Sequence, residues 1–129
     1  MEETKGIYIV TLNNDEPISV NSNDKRIAHK CLKANRSYCK FGKTENLRKR
    51  KNDYYKVFGK KNVNFKPILS ASEIFAIEKL LKNKLDIYRA ISPLNRKTEW
   101  LQGINGKELE NLIIHTLENS DYQWSKYEN

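Results

Sequence analysis

Cysteine is scarce in this chain: Cys31 and Cys39 are the only two among 129 residues. That is too few for a disulfide framework, and in a reducing compartment both would be free thiols. Histidine is as scarce. His29 and His115 could be combined with the two cysteines into a zinc site, but the spacing matches no common zinc pattern. Long apolar runs are missing: no stretch approaches the roughly 18 apolar residues of a membrane-spanning helix. The N-terminal MEETKG lacks the charge and apolar core of a signal peptide. These absences point to a cytoplasmic protein without a membrane partner. There is also no internal repeat and no low-complexity tract. What remains, 15.2 kDa with 38% hydrophobic content, suffices for one modest core and one domain over residues 1–129.

Acidic residues are thin over one quarter of the chain. From Lys40 to Lys66 there are ten basic side chains against Glu45 and Asp53, so 10 − 2 = +8, equal to the formal net charge of +8 for all 129 residues. Tyrosines are interleaved with this stripe. A solvated helix face is the plain reading of a charge run, but one so one-sided reads better as a footprint for a polyanion, here nucleic acid. Lys43, Thr44, Arg48, Lys49, Lys51, Lys56, Lys60 and Lys61 are the candidate phosphate contacts, with salt-dependent and largely sequence-independent affinity expected.

Gly6 to Leu12, GIYIVTL, has the β-branched and aromatic content of a strand buried on at least one face. Residues 13–37 form a polar insertion, with turn signals at Asn13-Asn14-Asp15 and Asn21-Ser22-Asn23-Asp24. Within it, Pro17 disfavours a central strand, and a short helix is expected at Lys25 to Ala34, capped by Asn23 or Asp24. Tyr38 to Phe41 reads as a strand, Gly42-Lys43 as a turn, and Thr44 as the cap of a helix that stops at Gly59. On that helix Leu47, Tyr54 and Phe58 share one face, and Arg50 and Tyr54, four apart, project over one surface.

Asn64 to Ser70 is a third strand, with Pro67 suited to an edge or an end. Ser70-x-x-Glu73 has the capping-box pattern and opens a helix through about Leu85. Counting from Ile74, the apolar Ile77, Leu81 and Leu85 fall near 300, 340 and 20 degrees, and Glu78 near 40. A carboxylate beside the apolar stripe is costly unless it has a partner or a task; Lys79, Lys82 and Lys84 point to solvent. Ser92-Pro93-Leu94-Asn95 reads as a turn, Glu99-Trp100-Leu101 as an anchor against the sheet, and Asn105-Gly106 as a turn. A final helix at about Lys107 to Glu118 buries Leu109, Leu112, Ile113 and Thr116. Tyr122, Trp124 and Tyr127 in the tail pack across the core edge or, alternatively, offer bases a stacking surface.

Taken in order, Gly6-Ile7-Tyr8, Lys40-Phe41-Gly42-Lys43-Thr44-x-Asn46-Leu47-x-x-Arg50, Tyr54, Glu78 and Pro93-x-Asn95 resemble the GIY-YIG nuclease superfamily over residues 6 to 95. Glu99-Trp100-Leu101 followed by a helix is similar to its phage-associated branch and extends the resemblance to about residue 118. The resemblance implies an α+β fold, a small three-stranded antiparallel sheet flanked by helices, with one active site on one sheet face. Carried over by position, Tyr8 matches the first-motif tyrosine, Arg50 the catalytic arginine, Tyr54 the helix tyrosine, Glu78 the metal-binding glutamate and Asn95 the asparagine that ends the motif region. There are two departures. Lys40 replaces the second-motif tyrosine, so that the signature reads K-F-G, and the two motifs are unusually far apart.

The implied activity is metal-dependent endonucleolytic hydrolysis, of DNA in preference to RNA, by a monomer or homodimer in the cytoplasm, the host's if the chain is phage-encoded. Glu78 would hold Mg²⁺ or Mn²⁺, and Arg50 would clamp the non-bridging phosphate oxygens. Tyr54 would orient phosphate or water, Tyr55 would pack, and Tyr8 would position or deprotonate the attacking water. Lys40 nearby would favour the phenolate of Tyr8. A catalytically inactive nucleic-acid-binding module of the same fold, and a phage-type protein-interaction factor using the 13–37 insertion, are the alternatives.

Overall fold

The structure, a computed structural model, describes residues 4–20 and 30–128. The strands are β1 (Gly6–Leu12), β2 (Ile18–Ser19), β3 (Lys33–Ala34), β4 (Tyr38–Thr44), β5 (Val63–Ser70), β6 (Arg89–Ile91), β7 (Lys97–Gln102) and β8 (Ser125–Lys126). The helices are α1 (Leu47–Phe58), α2 (Ile74–Leu85) and α3 (Gly106–Glu118). The α+β class is as expected. Among the described residues, however, the main sheet has six strands rather than three, in the order β6-β7-β4-β1-β5-β8. The three expected strands are its centre, with β1 antiparallel to both β4 and β5. The additions are the six-residue β7, which holds the expected Glu99-Trp100-Leu101 anchor, and two edge segments too brief to show a period, three residues in β6 and two in β8.

β1 is buried on both faces, and alternation along the strand sends its side chains into two separate cores. Ile7 and Ile9 join Phe41, Ile68, Ile77, Leu81, Leu85, Leu109 and Ile113 under α2 and α3. Tyr8, Val10 and Leu12 join Leu47, Phe58, Val63 and Trp100 under α1. The sheet is therefore sandwiched, with α1 on one face and α2 and α3 on the other. On the β5 side the register slips between Ile7 and Tyr8, so that Ile7 faces Leu69 and Tyr8 faces Pro67. Pro67, which has no N–H for the ladder, sits at this irregularity.

Several local expectations are corrected. Gly42 and Lys43 are not a turn; they continue β4 opposite Tyr8 and Ile7. Thr44 is therefore strand, and the cap of α1 is Asn46, whose side chain accepts from the Lys49 amide at 3.0 Å. The Thr44 hydroxyl accepts from the Asn46 amide at 3.1 Å and helps set that cap. Gly59 ends the helix as expected, at a φ of 86°, with its amide bonded to the Tyr55 carbonyl. The Ser70-x-x-Glu73 capping box does not form: Ser70 is paired into β5, and Glu73 caps α2 without a side-chain bond. A capping box instead opens α3, formed by Asn105 and Glu108.

In the insertion, Lys33–Ala34 is a strand paired with Ile18–Ser19, so the expected helix at Lys25 to Ala34 fails at its C-terminal end. Its beginning, with the Asn21 to Asp24 turn and His29, lies outside the described residues. The buried face of α2 is the expected one, Ile74, Ile77, Leu81 and Leu85. In the tail, Tyr122 and Trp124 pack against the α2–α3 core and Tyr127 against the α1 core, which agrees with packing rather than a stacking surface. Among the described residues no helix is long and apolar enough to cross a membrane.

Candidate active site

Alternation on β1 and β4 and the helical period of α1 bring Tyr8, Lys40, Arg50 and Tyr54 together on the α1 face. Tyr8 is 1% exposed, with its ring stacked on Phe65 at 4.6 Å between centroids and edge-on to Tyr54 at 5.6 Å. Its hydroxyl lies 3.2 Å from that of Tyr54 and accepts from Arg50 Nη1 at 3.3 Å. Arg50 thus donates to the Tyr8 oxygen, and the two tyrosine hydroxyls share a further hydrogen bond in which either can donate. A cleft of about 240 Å³ is lined by Lys40, Arg50, Asp53, Tyr54 and Phe58, together with Val20, Val57 and Trp100. Lys40 Nζ lies 5.5 Å from the centroid of the Tyr54 ring and 5.8 Å from that of Trp100, within cation–π range of both.

The phenol of Tyr8 can approach β4 this closely because Gly42 has no side chain. A Cβ at Gly42 would come within 2.4 Å of Tyr8 Oη, so the buried ring would have to move to admit it. The glycine is demanded by the tyrosine across the ladder.

Burial, and next the neighbouring Tyr54, push the ionisation of Tyr8 well above the ordinary tyrosine value, although Lys40 and Arg50 act in the opposite sense. Burial likewise raises Tyr54, with the hydrogen bond to Tyr8 and the charge of Arg50 opposing it. The expectation that Lys40 makes Tyr8 a phenolate is corrected: the lysine pulls in that direction, and desolvation outweighs it. Near neutral pH Tyr8 keeps its proton.

Glu78 is elsewhere. It belongs to α2 and lies on the opposite face of the sheet, its side chain 14% exposed. Lys43 Nζ approaches its Oε1 at 2.9 Å and Lys82 Nζ the same oxygen at 3.6 Å. Lys82, expected in solvent, also reaches Glu99 Oε1 at 3.3 Å, and the other oxygen of Glu99 pairs with Lys40 at 3.3 Å. An alternating chain, Lys43, Glu78, Lys82, Glu99, Lys40, therefore connects the two faces. It crosses where β4 and β7 separate, since these strands pair only at Tyr38 with Gln102 and Cys39 with Leu101. Beyond Cys39, β4 has an open edge.

Both ammonium groups on Glu78 meet Oε1, and among the described residues Oε2 has no hydrogen bond. A single carboxylate oxygen is a hard donor that suits a Mg²⁺ or Mn²⁺ ion otherwise ligated by water and phosphate. Among the described residues no three His, Cys, Asp or Glu side chains converge on a fuller metal site. Cys39 serves the core: its thiol donates to the Ile104 carbonyl at 3.2 Å, and burial, with the charge of Glu108, pushes its ionisation up to about 12.

Asn95 is not brought to the cleft. It is exposed in the turn between β6 and β7, at a φ of 60°, its amide bonded to the Ser92 carbonyl. Of the candidate phosphate contacts, Arg48, Lys49, Lys51, Lys56, Lys60 and Lys61 are exposed on α1 and the turn after it. Lys43 is instead engaged by Glu78, and Thr44 is buried with its hydroxyl bound to backbone; that corrects its role as a phosphate contact. Glu99, Lys82, Phe65 and the strand role of Gly42 escaped the reading of the sequence. Only Glu99 carried a signal, as part of the Glu99-Trp100-Leu101 step read as an anchor against the sheet.

The T5orf172 domain profile matches residues 7–118, a span that takes in β1 through α3 and every group described above. No curated protein and no solved structure matches. With 112 of 129 residues inside that match, the chain belongs to the T5orf172 domain family, a phage-associated domain related to the GIY-YIG and HNH type of nuclease-like superfamily.

Proposed function

We propose that this chain is a metal-dependent endonuclease of the GIY-YIG type that hydrolyses phosphodiester bonds, in DNA rather than RNA, in the cytoplasm. The observation that carries the reading is the Arg50–Tyr8–Tyr54 hydrogen-bonded array at a cleft shared with Lys40. A guanidinium fork fits the non-bridging oxygens of a phosphate, and its own anchor on Tyr8 fixes its direction. Tyr54, hydrogen-bonded to Tyr8, presents its hydroxyl to orient the attacking water or the phosphate. Lys40 adds positive charge beside the developing phosphorane, in a cleft partly closed to water where that charge is worth more. Tyr8 itself anchors Arg50 and Tyr54 through its hydroxyl. Glu78, on the α2 face, would hold a Mg²⁺ or Mn²⁺ ion, which would supply Lewis acidity and an acidified water to a phosphate bound across the open edge of β4. The exposed basic residues of α1 and its following turn steer the polyanion towards the cleft.

The engagement of Glu78 by Lys43 and Lys82 favours one competitor, a binding module without catalysis. Incubating supercoiled plasmid with the protein and Mg²⁺ or Mn²⁺, alongside a chelator control and Glu78→Ala, separates the two. Nicked or linear product is expected with metal alone, and Glu78→Ala should bind DNA without cutting it. Metal-dependent cleavage by Glu78→Ala at the wild-type rate would remove Glu78 from the reaction. DNA binding with no cleavage in any arm would leave the binding module.

A further inference from the structure

We propose that Glu99 is a positioning residue of this site, holding Lys40 in the cleft and coupling it, through Lys82, to the Glu78 carboxylate on the other face of the sheet. The inference rests on the reading of the cleft as a phosphate site. It begins from the strand directions. On β7, Trp100 turns into the α1 core and Leu101 into the α2–α3 core, so Glu99 leaves the strand on the α2 side. On β4, Cys39 and Phe41 belong to the α2–α3 core, so Lys40 leaves on the α1 side. Their 3.3 Å ion pair therefore runs across the plane of the sheet, and it can do so only because β4 and β7 are unpaired beyond Cys39.

The pair constrains an otherwise flexible group. Lys40 has four rotatable bonds, yet its side chain is only 15% exposed, lying between the rings of Tyr54 and Trp100 with its ammonium tied at the far side by Glu99. The other Glu99 oxygen holds Lys82, whose ammonium is shared with Glu78. Burial acts to raise the Glu99 carboxyl, but Lys40 and Lys82 outweigh it and keep the group ionised below its ordinary range. Glu99 is thus the one described carboxylate in contact with Lys40 and, through it, with the tyrosine and arginine array.

The two possible roles of Glu99 predict opposite signs for nucleic-acid binding. If it is only an acidic side chain near a polyanion, neutralising it raises the net charge by one and binding tightens. If it positions Lys40, neutralising it frees the lysine and binding weakens in spite of the added charge. Duplex DNA affinity is therefore to be measured in chelator, without divalent metal, for the wild type, Glu99→Gln, Lys40→Met and the double variant, with thermal melting to verify folding. Glu99→Gln is expected to bind about threefold or more weakly, a loss typical of one coupled contact. In the Lys40→Met background the same substitution should no longer weaken binding. Glu99→Asp, which keeps the charge on a shorter stem, should recover part of the loss.

Unchanged or tighter binding by Glu99→Gln would overturn the inference while leaving the nuclease reading intact, as would an equal loss in the Lys40→Met background. Absence of DNA binding by the wild type would overturn the nuclease reading and this inference with it.

Discussion

Tyr8 has the burial of a core residue and the hydrogen-bond partners of a working one. Its hydroxyl holds Arg50 and Tyr54 at 3.3 and 3.2 Å, and its ring occupies the place that a side chain on Gly42 would need. Removing the hydroxyl in Tyr8→Phe should keep the packing, cost about 1 kcal/mol for the lost bonds and slow cleavage by loosening Arg50. Because the folded phenol ionises above its ordinary value, its contribution to stability is complete below about pH 10. It is lost as the pH rises further, since the unfolded tyrosine sheds its proton while the folded one retains it. Denaturant titrations of the wild type should therefore show stability falling on the alkaline side, and Tyr8→Phe should fall less steeply. Parallel alkaline limbs would contradict the burial of an un-ionised phenol at this position. At this scale the sequence was legible where the geometry is local. Arg50 and Tyr54 lie one helical turn apart, so their common surface could be derived before any tertiary contact was known. Gly42 and Glu99 could not be derived, because the first answers to a ring across the ladder and the second to a lysine on another strand.

As an element, α1 carries Arg50 and Tyr54 as one rigid unit, so the cap that begins it also sets the direction of the site. Asn46 provides that cap, and Asn46→Ala should lower stability by about 1 kcal/mol, measurable by chemical denaturation. No change would mean that the cap is borrowed from elsewhere. The amphipathic faces of α1 and α2 were readable from their 3.6-residue period, and β1 from its β-branched run. Signals that pairing can override were less dependable. Ser70 and Glu73 had the right spacing for a capping box, but Gly6 and Ser125 pair with Ser70 and hold it extended. Asn105 and Glu108 kept theirs because the chain has left β7 before the helix opens. Gly42 suggested a turn, yet here a residue without a Cβ lets one strand lie close under another. β6 and β8 left no period to read, and tertiary pairing alone defines them.

For the whole molecule, one sheet separates two cores and places the tyrosine, arginine and lysine array on one face and Glu78 on the other. The open edge of β4 is where the faces communicate. Charge excess and family motifs were legible before the fold; the division of the site between two faces was not, because it depends on which way each strand residue leaves the sheet. The central claim is that Arg50 binds the phosphate in the transition state. The most direct measurement is single-turnover cleavage of duplex DNA by the wild type and Arg50→Lys, with affinity determined in parallel. The account predicts a fall in rate of about 100-fold or more with affinity nearly unchanged, because lysine keeps the charge and loses the fork. Cleavage by Arg50→Lys at the wild-type rate would contradict it.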